Sequence, residues 1–438
     1  MVKISIIGLG FVGLSLTSTL SSKGYKVVGI DIDEKKCEKI RNGITPFFEP
    51  GLERILKKGL KKNLEISNDF SLINDCDLIF VTVGTPQSKN GSINLSIIKQ
   101  AVSSIGTNLK KNKKNPIIFI KSTVVPGTMK DVILPILEKK SNKKAGRDFG
   151  LISNPEFLQE SRAIRDSEFP HVVVLGGYKT KFMKKAKNFF EKLHPNVPII
   201  ITNHQTAEMI KYANNSFLAT KISFINQLSN ICQKTPGANV DDIARTIGLD
   251  PRIGKLFLNA GPGYGGSCLP KDMKALINFA NISGINPTLL NAVEDINSKQ
   301  LEQIITIAKQ QLIDLKSKRI TVLGTSFKPN TDDIRDSISI ELIKKLLKRK
   351  AKVTVHDPRA IKNTRDIFGE KIIYAKSMND ALLKSQCAII MTEWTQYEKL
   401  NNNNFKHMTK KVVIDSRRML IGKQLDVNYF GIGLGKEK

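Results

Sequence analysis

Lys3-Ile4-Ser5-Ile6-Ile7-Gly8-Leu9-Gly10-Phe11-Val12-Gly13 opens the chain as a short apolar strand that runs at once into a glycine turn. Leu14 to Lys23 can form a helix, Gly24 ends it, and Lys26-Val27-Val28-Gly29-Ile30-Asp31 reads as a second strand. Strand, turn, helix, strand is the setting in which G-x-G-x-x-G means dinucleotide binding. Gly8 makes the tight turn, Gly10 admits a pyrophosphate, and Gly13 lets helix pack on strand. The helix start supplies amides and a positive dipole end to the phosphates. Gly8, Gly10 and Gly13, with Val12 between them, are therefore cofactor-binding candidates. Asp31, 18 residues past Gly13, stands where an acid bonds the ribose hydroxyls. A carboxylate there repels a 2′-phosphate, so the expected cofactor is NAD, not NADP.

Further continuous apolar runs, Asp77 to Val83 and Pro116 to Lys121, suit parallel strands buried on both faces. They end in Gly84-Thr85-Pro86 and Ser122-Thr123. Ligands of open α/β sheets lie beyond strand carboxyl ends, so Thr85 and Thr123 are candidates near the cofactor. Ordinary turn residues would read the same. From about Thr206 the pattern is helical, and Glu208, Lys211, Tyr212 and Asn215 share one face. Apolar residues continue through Phe217 and Phe224, which predicts a deep helix and a natural dimer surface. A deep Lys and Asn need polar partners, and a ligand is one source.

Near residue 318 the pattern turns again to strand, glycine and helix. Arg319 to Gly324 mirrors the first strand, and Lys352 to Asp357 mirrors Lys26 to Asp31. This copy carries Thr325-Ser326-Phe327-Lys328-Pro329 in place of G-x-G-x-x-G. It predicts a second Rossmann-like sheet that does not take a full dinucleotide. Lys328 and Arg335 flank its turn and suit a nucleotide diphosphate, although solvated charges fit the same spacing. The expected fold is α/β: two Rossmann-like doubly wound domains joined by a central long-helix segment. The boundaries are 1–200, 201–315 and 316–438.

Gly261-Pro262-Gly263-Tyr264-Gly265-Gly266-Ser267-Cys268-Leu269-Pro270-Lys271-Asp272 carries the chemistry. Glycines let backbone approach a ligand closely. A nearby ammonium favours a reactive thiolate. The segment reads as a nucleophilic cysteine at the wall of a tight pocket, or as a glycine turn with an incidental buried thiol. An NAD domain, a nucleotide-diphosphate domain and a thiol together suit a four-electron oxidation of an alcohol to a carboxylate through a thiohemiacetal and thioester.

Composition sets the limits. The 438 residues allow two or three domains, and the net charge of +29 attracts anions. Lys, Asn and Ile are abundant throughout, and no basic run is interleaved with aromatics, so a nucleic-acid partner is not expected. No apolar run reaches the roughly 18 residues of a membrane span, and Met1-Val2-Lys3-Ile4 leads straight into a strand pattern. Neither a membrane association nor a signal peptide is expected. The five cysteines are scattered with no C-x-x-C, which suits a reducing cytoplasm, and the dispersed histidines suit no bound metal.

With these motifs in order, the chain resembles the nucleotide-sugar dehydrogenases, the UDP-glucose/GDP-mannose dehydrogenase family, over essentially its whole length. The resemblance is carried by Gly8 to Gly13, Val83-Gly84-Thr85-Pro86, Lys121-Ser122-Thr123 and Asn154 to Glu160. It continues through Ala207 to Asn215, Asp250-Pro251-Arg252-Ile253-Gly254, the cysteine segment, Phe327 to Arg335 and Thr392-Glu393-Trp394. Within the family the members acting on UDP-glucose are most similar. The resemblance implies that Cys268 is the nucleophile, Lys211 and Asn215 stabilise an oxyanion, and Asp272 assists with a proton or ordered water. It implies that Thr123 and Glu156 order the catalytic water and that Glu160 lies close to the nicotinamide. Asp31 and Lys36 would hold the adenosine ribose; Thr85, Thr123, Lys271 and Arg335 would also contact NAD. Glu156, Phe157, Leu158, Glu160, Lys211 and Asn215 would line the substrate. Phe257, Leu258, Asn259, Gly261, Tyr264 and Gly265 would wrap the sugar nucleotide, with Lys328 and Arg417 on its side. Arg252 would reach the partner's site in a homodimer.

Some positions depart from the family pattern. Pro170-His171-Val172 stands where many relatives have an acid or amide followed by Arg, and Asp415-Ser416-Arg417-Arg418 replaces the commoner Asp-Gly-Arg-Asn. Residues 139–147 are unusually basic. These departures leave the sugar open: GDP-mannose, UDP-N-acetylmannosamine and UDP-N-acetylglucosamine are alternatives to UDP-glucose. A basic nucleic-acid-binding protein on a Rossmann scaffold and a catalytically dead NAD sensor are the readings from other classes.

Overall fold

The computed structural model describes residues 2–88 and 90–436. Met1, Glu437 and Lys438, which end the outer expected domains, lie outside the described residues. The chain forms two compact units, Met1–Asn214 and Asn215–Lys438. The boundary falls inside the helix His204–Cys232.

Among the described residues, the first unit holds an eight-stranded sheet. Its strands are β1 (Lys3–Ile7), β2 (Lys26–Ile30), β3 (Leu64–Ser67), β4 (Leu78–Val81), β5 (Ile117–Ile120), β6 (Gly150–Ser153), β7 (Val173–Gly176) and β8 (Ile199–Thr202). Their order is β3-β2-β1-β4-β5-β6-β7-β8. The first six pair in parallel. β7 is antiparallel to β6 and carries β8 parallel to itself. The reversal of strand order at β1 and β4 makes the crevice in which such sheets bind ligands.

The strand side chains divide between two faces, as pleating requires. Ile4, Ile6, Phe80 and Phe119 pack with Leu14 and Leu20 on one face. Ile7, Val28, Ile30, Ile79 and Val81 pack with Ile98, Val102 and Ile105 on the other. Burial on both faces accounts for the unbroken apolar runs.

The second unit joins the remainder of the long helix to the helices Val240–Ile247, Leu269–Ile282 and Thr288–Leu312. A six-stranded parallel sheet follows, with β9 (Arg319–Leu323), β10 (Lys352–His356), β11 (Ile373–Tyr374), β12 (Cys387–Ile390), β13 (Val412–Asp415) and β14 (Asn428–Gly431). Its order, β11-β10-β9-β12-β13-β14, repeats that of the first six strands. The expected α/β class with two doubly wound sheets and a helical middle is what the chain forms.

The long helix is deep on one face only. Glu208, Lys211, Tyr212 and Asn215 are buried, but Phe217, Phe224 and Ile231 are 64%, 52% and 54% exposed. The expectation of a helix buried through Phe217 and Phe224 is corrected here: these apolar residues, seven apart, form an outward stripe. No helix among the described residues is long and apolar enough to cross a membrane.

Candidate active site

The glycine turn between β1 and the helix Phe11–Ser22 is built as its spacing requires. Gly8 has φ +94°, a left-handed conformation that glycine adopts without penalty. A Cβ on Gly13 would fall 1.8 Å from the Gly8 carbonyl oxygen, so only glycine lets the helix approach. A Cβ on Gly10 would meet nothing within 4 Å, and this face of the turn is open to a ligand. Asp31, just past β2, accepts hydrogen bonds from the Leu9 amide at 2.7 Å and from Lys36 Nζ at 2.9 Å. It therefore ties the glycine turn to the end of β2. These groups fit a dinucleotide: open backbone for phosphates and an acid at the next strand end. At the ends of β4 and β5, Thr85 Oγ1 donates to the Thr123 carbonyl at 2.8 Å.

The counterpart of Asp31 in the second sheet is Asp357, just past β10. Its carboxylate accepts from the Thr325 and Ser326 amides, the Ser326 hydroxyl and the Trp394 indole N–H. Closed on its own turn and capped by an indole, it lacks the open glycine face of the first copy. Thr325 and Ser326 stand in this turn where Leu9 and Gly10 stand in the first. In the same region Lys328 lies over the Phe327 ring, and Arg335 forks onto Asp333.

In the first unit, a buried charge group follows β6. Lys211 Nζ donates to the Glu156 carboxylate at 3.0 Å and to the Glu156 carbonyl at 2.7 Å. Glu156 also accepts from the Leu158 amide. Burial pushes the Glu156 carboxyl up, but Lys211 and the Leu158 amide outweigh it and hold it below its ordinary value. Lys211 also lies over the Phe157 ring, whose other neighbour is His171. Lys121, just past β5, also belongs to this group, which its place in the Lys-Ser-Thr motif did not announce. Its Nζ donates to Asn154 Oδ1 at 3.0 Å, and burial pulls its ammonium down to about 8, opposed by Glu156 and assisted by Lys211. Glu160 follows in a turn whose Ser161 and Ala163 amides are held by the buried carboxylate of Glu49.

In the second unit, Cys268 caps the N-terminus of the helix Leu269–Ile282. It is exposed, and the other four cysteines are buried. A thiolate there faces the positive end of the helix dipole. In the first turn Lys271 Nζ donates to Asp272 Oδ1 at 2.6 Å. Asn215 Nδ2, from the long helix, donates to Asp272 Oδ2 at 2.6 Å. Lys271, Asp272 and Asn215 thus form one polar group at the helix turn that follows Cys268.

The loop before them is tightly packed. A Cβ on Gly265 would lie 2.3 Å from the Asp336 carbonyl oxygen. Tyr264 exchanges hydrogen bonds with the Asn297 side chain through both its N–H and its C=O. Leu258 is buried, Asn259 is exposed, and Phe257 adopts φ +64°. Arg417 donates to the Met391 carbonyl and pairs with Glu393, and a Cβ on Gly261 would lie 3.0 Å from its guanidinium. Arg252 is 87% exposed and forks onto Asp250. Among the described residues, no group of three or more His, Cys, Asp or Glu is placed to hold a metal ion.

Three successive matches span most of the chain: residues 2–194 with the UDP-glucose/GDP-mannose dehydrogenase family NAD binding domain, 205–299 with its central domain, and 321–422 with its UDP binding domain. The chain belongs to the UDP-glucose/GDP-mannose dehydrogenase family. NAD is the cofactor of this NAD-dependent dehydrogenase. It is 40% identical to the UDP-glucose 6-dehydrogenase AglM of Haloferax volcanii over 425 residues, covering 96% of this chain and 98% of that one. It is likewise 40% identical to TuaD, a UDP-glucose 6-dehydrogenase of Bacillus subtilis, covering 96% of this chain and 90% of that one. A solved UDP-glucose dehydrogenase from Pyrobaculum islandicum superposes with a TM-score of 0.91 at 32% identity, over 99% of this chain and 98% of that one. The match to the family's UDP binding domain takes in β10 to β13 of the second sheet and most of β9, with Asp357 and Trp394 inside it.

Proposed function

We propose that this protein oxidises UDP-glucose to UDP-glucuronate with two NAD and water, by way of a thioester on Cys268. The observation that carries the reading is the arrangement at the helix start: an exposed thiol, followed in the first turn by Asp272, which is bonded by Lys271 and by Asn215 from the long helix. The UDP-glucose 6-dehydrogenases among its relatives support the choice of sugar.

Bound NAD, held by Gly8, Gly10, Val12, Gly13, Asp31, Lys36, Thr85, Thr123, Glu160, Lys271 and Arg335, supplies the hydride acceptor. The protein's own groups do the rest. Loss of a hydride to that acceptor and of the hydroxyl proton turns the C6 alcohol into an aldehyde, to which Cys268 Sγ adds, forming a C–S bond and a thiohemiacetal oxygen. Lys211 and Asn215 stabilise the charge on that oxygen. After the second oxidation, a water ordered by Thr123, Glu156 and Asp272 attacks the thioester carbon. The C–S bond breaks, the carboxylate leaves, and the thiol recovers its proton. The Phe257 to Gly265 loop, Lys328 and Arg417 grip the nucleotide sugar. The apolar stripe of Phe217, Phe224 and Ile231 supports a homodimer, with Arg252 directed to the partner's site. Scattered, undisulfided cysteines support a cytoplasmic location.

The test is to follow NADH while limiting UDP-glucose is consumed. About two NADH per sugar are expected from the two oxidations. One NADH per sugar would refute the thioester route, and turnover of GDP-mannose or UDP-N-acetylmannosamine in preference would move the assignment to that sugar.

A further inference from the structure

We infer that Arg418 and Asn226 are positioning residues for the nucleotide sugar, acting through the single peptide group between Ala260 and Gly261. The inference rests on the proposed role of the 257–265 loop. Both ends of that peptide group are held by buried side chains. Asn226 Oδ1 accepts from the Gly261 N–H at 2.8 Å, and Arg418 Nη2 donates to the Ala260 carbonyl at 2.9 Å. Asn226 is 0% exposed and Arg418 6%. The plane of the peptide is therefore fixed, and with it the direction in which the loop leaves.

Arg418 spends the rest of its guanidinium on two other segments. Nε donates to Asp241 in the helix Val240–Ile247 at 2.8 Å, and Nη1 to the Ile432 carbonyl beyond β14 at 3.0 Å. One planar fork thus ties the loop to a helix and to the end of the sheet, a geometry that a lysine cannot reproduce. Its backbone carries a second sign. Arg418 has φ +56°, the left-handed region that a long L side chain avoids. Such a conformation persists where the surroundings over-determine it. Here the three guanidinium bonds do so.

The consequence follows from where the loop is pinned. It is held at Ala260–Gly261 by Asn226 and Arg418, and at Tyr264 by Asn297. Residues 257–259 precede both pins, with Asn259 exposed. The 260–261 peptide sets their aim. It also sets the distance to Arg417, since Gly261 packs against that guanidinium. Arg418 faces the loop's backbone and is not assigned to touch the sugar, so its effect is on binding, not on the chemical step.

The test compares wild type with Arg418→Ala, Arg418→Lys, Asn226→Ala and Asp241→Asn. It measures KM for UDP-glucose and for NAD, kcat, melting temperature, and calorimetric affinity for UDP-glucose and UDP. Arg418→Ala is expected to weaken UDP-glucose binding and raise its KM about tenfold, the loss of a charged hydrogen bond, with KM for NAD unchanged. Asn226→Ala shifts the same constants in the same direction. Arg418→Lys is intermediate, and Asp241→Asn, which leaves both carbonyl bonds, is the mildest. If Arg418→Ala does not fold, Asn226→Ala and Asp241→Asn decide by the same constants. A folded variant with lowered melting temperature but unchanged affinity and KM for UDP-glucose would overturn the inference and leave the activity standing. Wild type that binds UDP but forms no NADH would sink the activity, while the affinities still decide the clamp. Wild type that binds neither ligand overturns both.

Discussion

Lys211 and Glu156 form a two-point bond: one ammonium donates to both the carboxylate and the main-chain carbonyl of the same residue. The pair is almost fully buried, at 5% and 9% side-chain exposure. Removing one partner strands the other charge in a poor solvent, at about 3–5 kcal/mol for a buried pair. Lys211→Met should therefore lower the melting temperature as well as kcat. The loss in kcat should be about 10²–10³-fold if Lys211 is an oxyanion donor. Lys211→Met with wild-type kcat would remove it from the mechanism.

Cysteine chemistry should single out Cys268. Burial raises the other four thiols, Cys76 and Cys387 to about 12. Cys37 and Cys232 are raised by the same cause. Iodoacetamide at neutral pH should add one equivalent, at Cys268 by peptide mapping, with loss of activity and protection by UDP-glucose. Labelling spread over several cysteines, or inactivation unaffected by substrate, would count against the nucleophile.

The first sheet was legible because its signal is local: a strand, three spaced glycines, a helix and an acid at the next strand end. The second copy was legible as a sheet for the same reason. Its closure by Asp357 and Trp394 was not, because the two residues meet only through the topology, 37 positions apart. The buried face of the long helix was readable from the spacing of Glu208, Lys211, Tyr212 and Asn215. The outward turn of Phe217 and Phe224 was not, since apolar residues suit a core and an interface equally. Arg418 stands out in the sequence only as a departure from the family pattern. Its partners Asn226, Asp241 and Ile432 lie too far along the chain for spacing to join them.

Stability should depend on pH through two opposed sets of groups. Burial lowers His204 and His356, and lowers His194 to about 4. The unfolded chain then binds more protons, so this contribution is present above the ordinary histidine range and fades as pH falls toward 4. Glu208 behaves oppositely. It holds the Gly127 and Met129 amides, but burial raises it from 4.5 to about 7. The unfolded chain loses that proton first, so stability falls as pH rises through this window. Glu208→Gln should remove the falling component. Urea midpoints at pH 5 and pH 7.5 should then show a larger gain on raising the pH in the variant than in wild type. An identical pH profile would show that Glu208 titrates normally.

The two glycines of the dinucleotide turn should separate folding from binding. Gly13→Ala places a methyl carbon 1.8 Å from the Gly8 carbonyl, a backbone atom that cannot swing aside. Overpacking of this kind costs about 1–3 kcal/mol or more, so the variant should melt earlier and express poorly. Gly10→Ala meets no protein atom within 4 Å. It should fold as wild type, with an unchanged melting temperature without ligand. Its methyl group would occupy the space through which the pyrophosphate reaches the backbone. KM for NAD should rise by about tenfold or more, with affinity for UDP unchanged. Normal NAD affinity in Gly10→Ala would place the phosphates elsewhere and undo the reading of the turn.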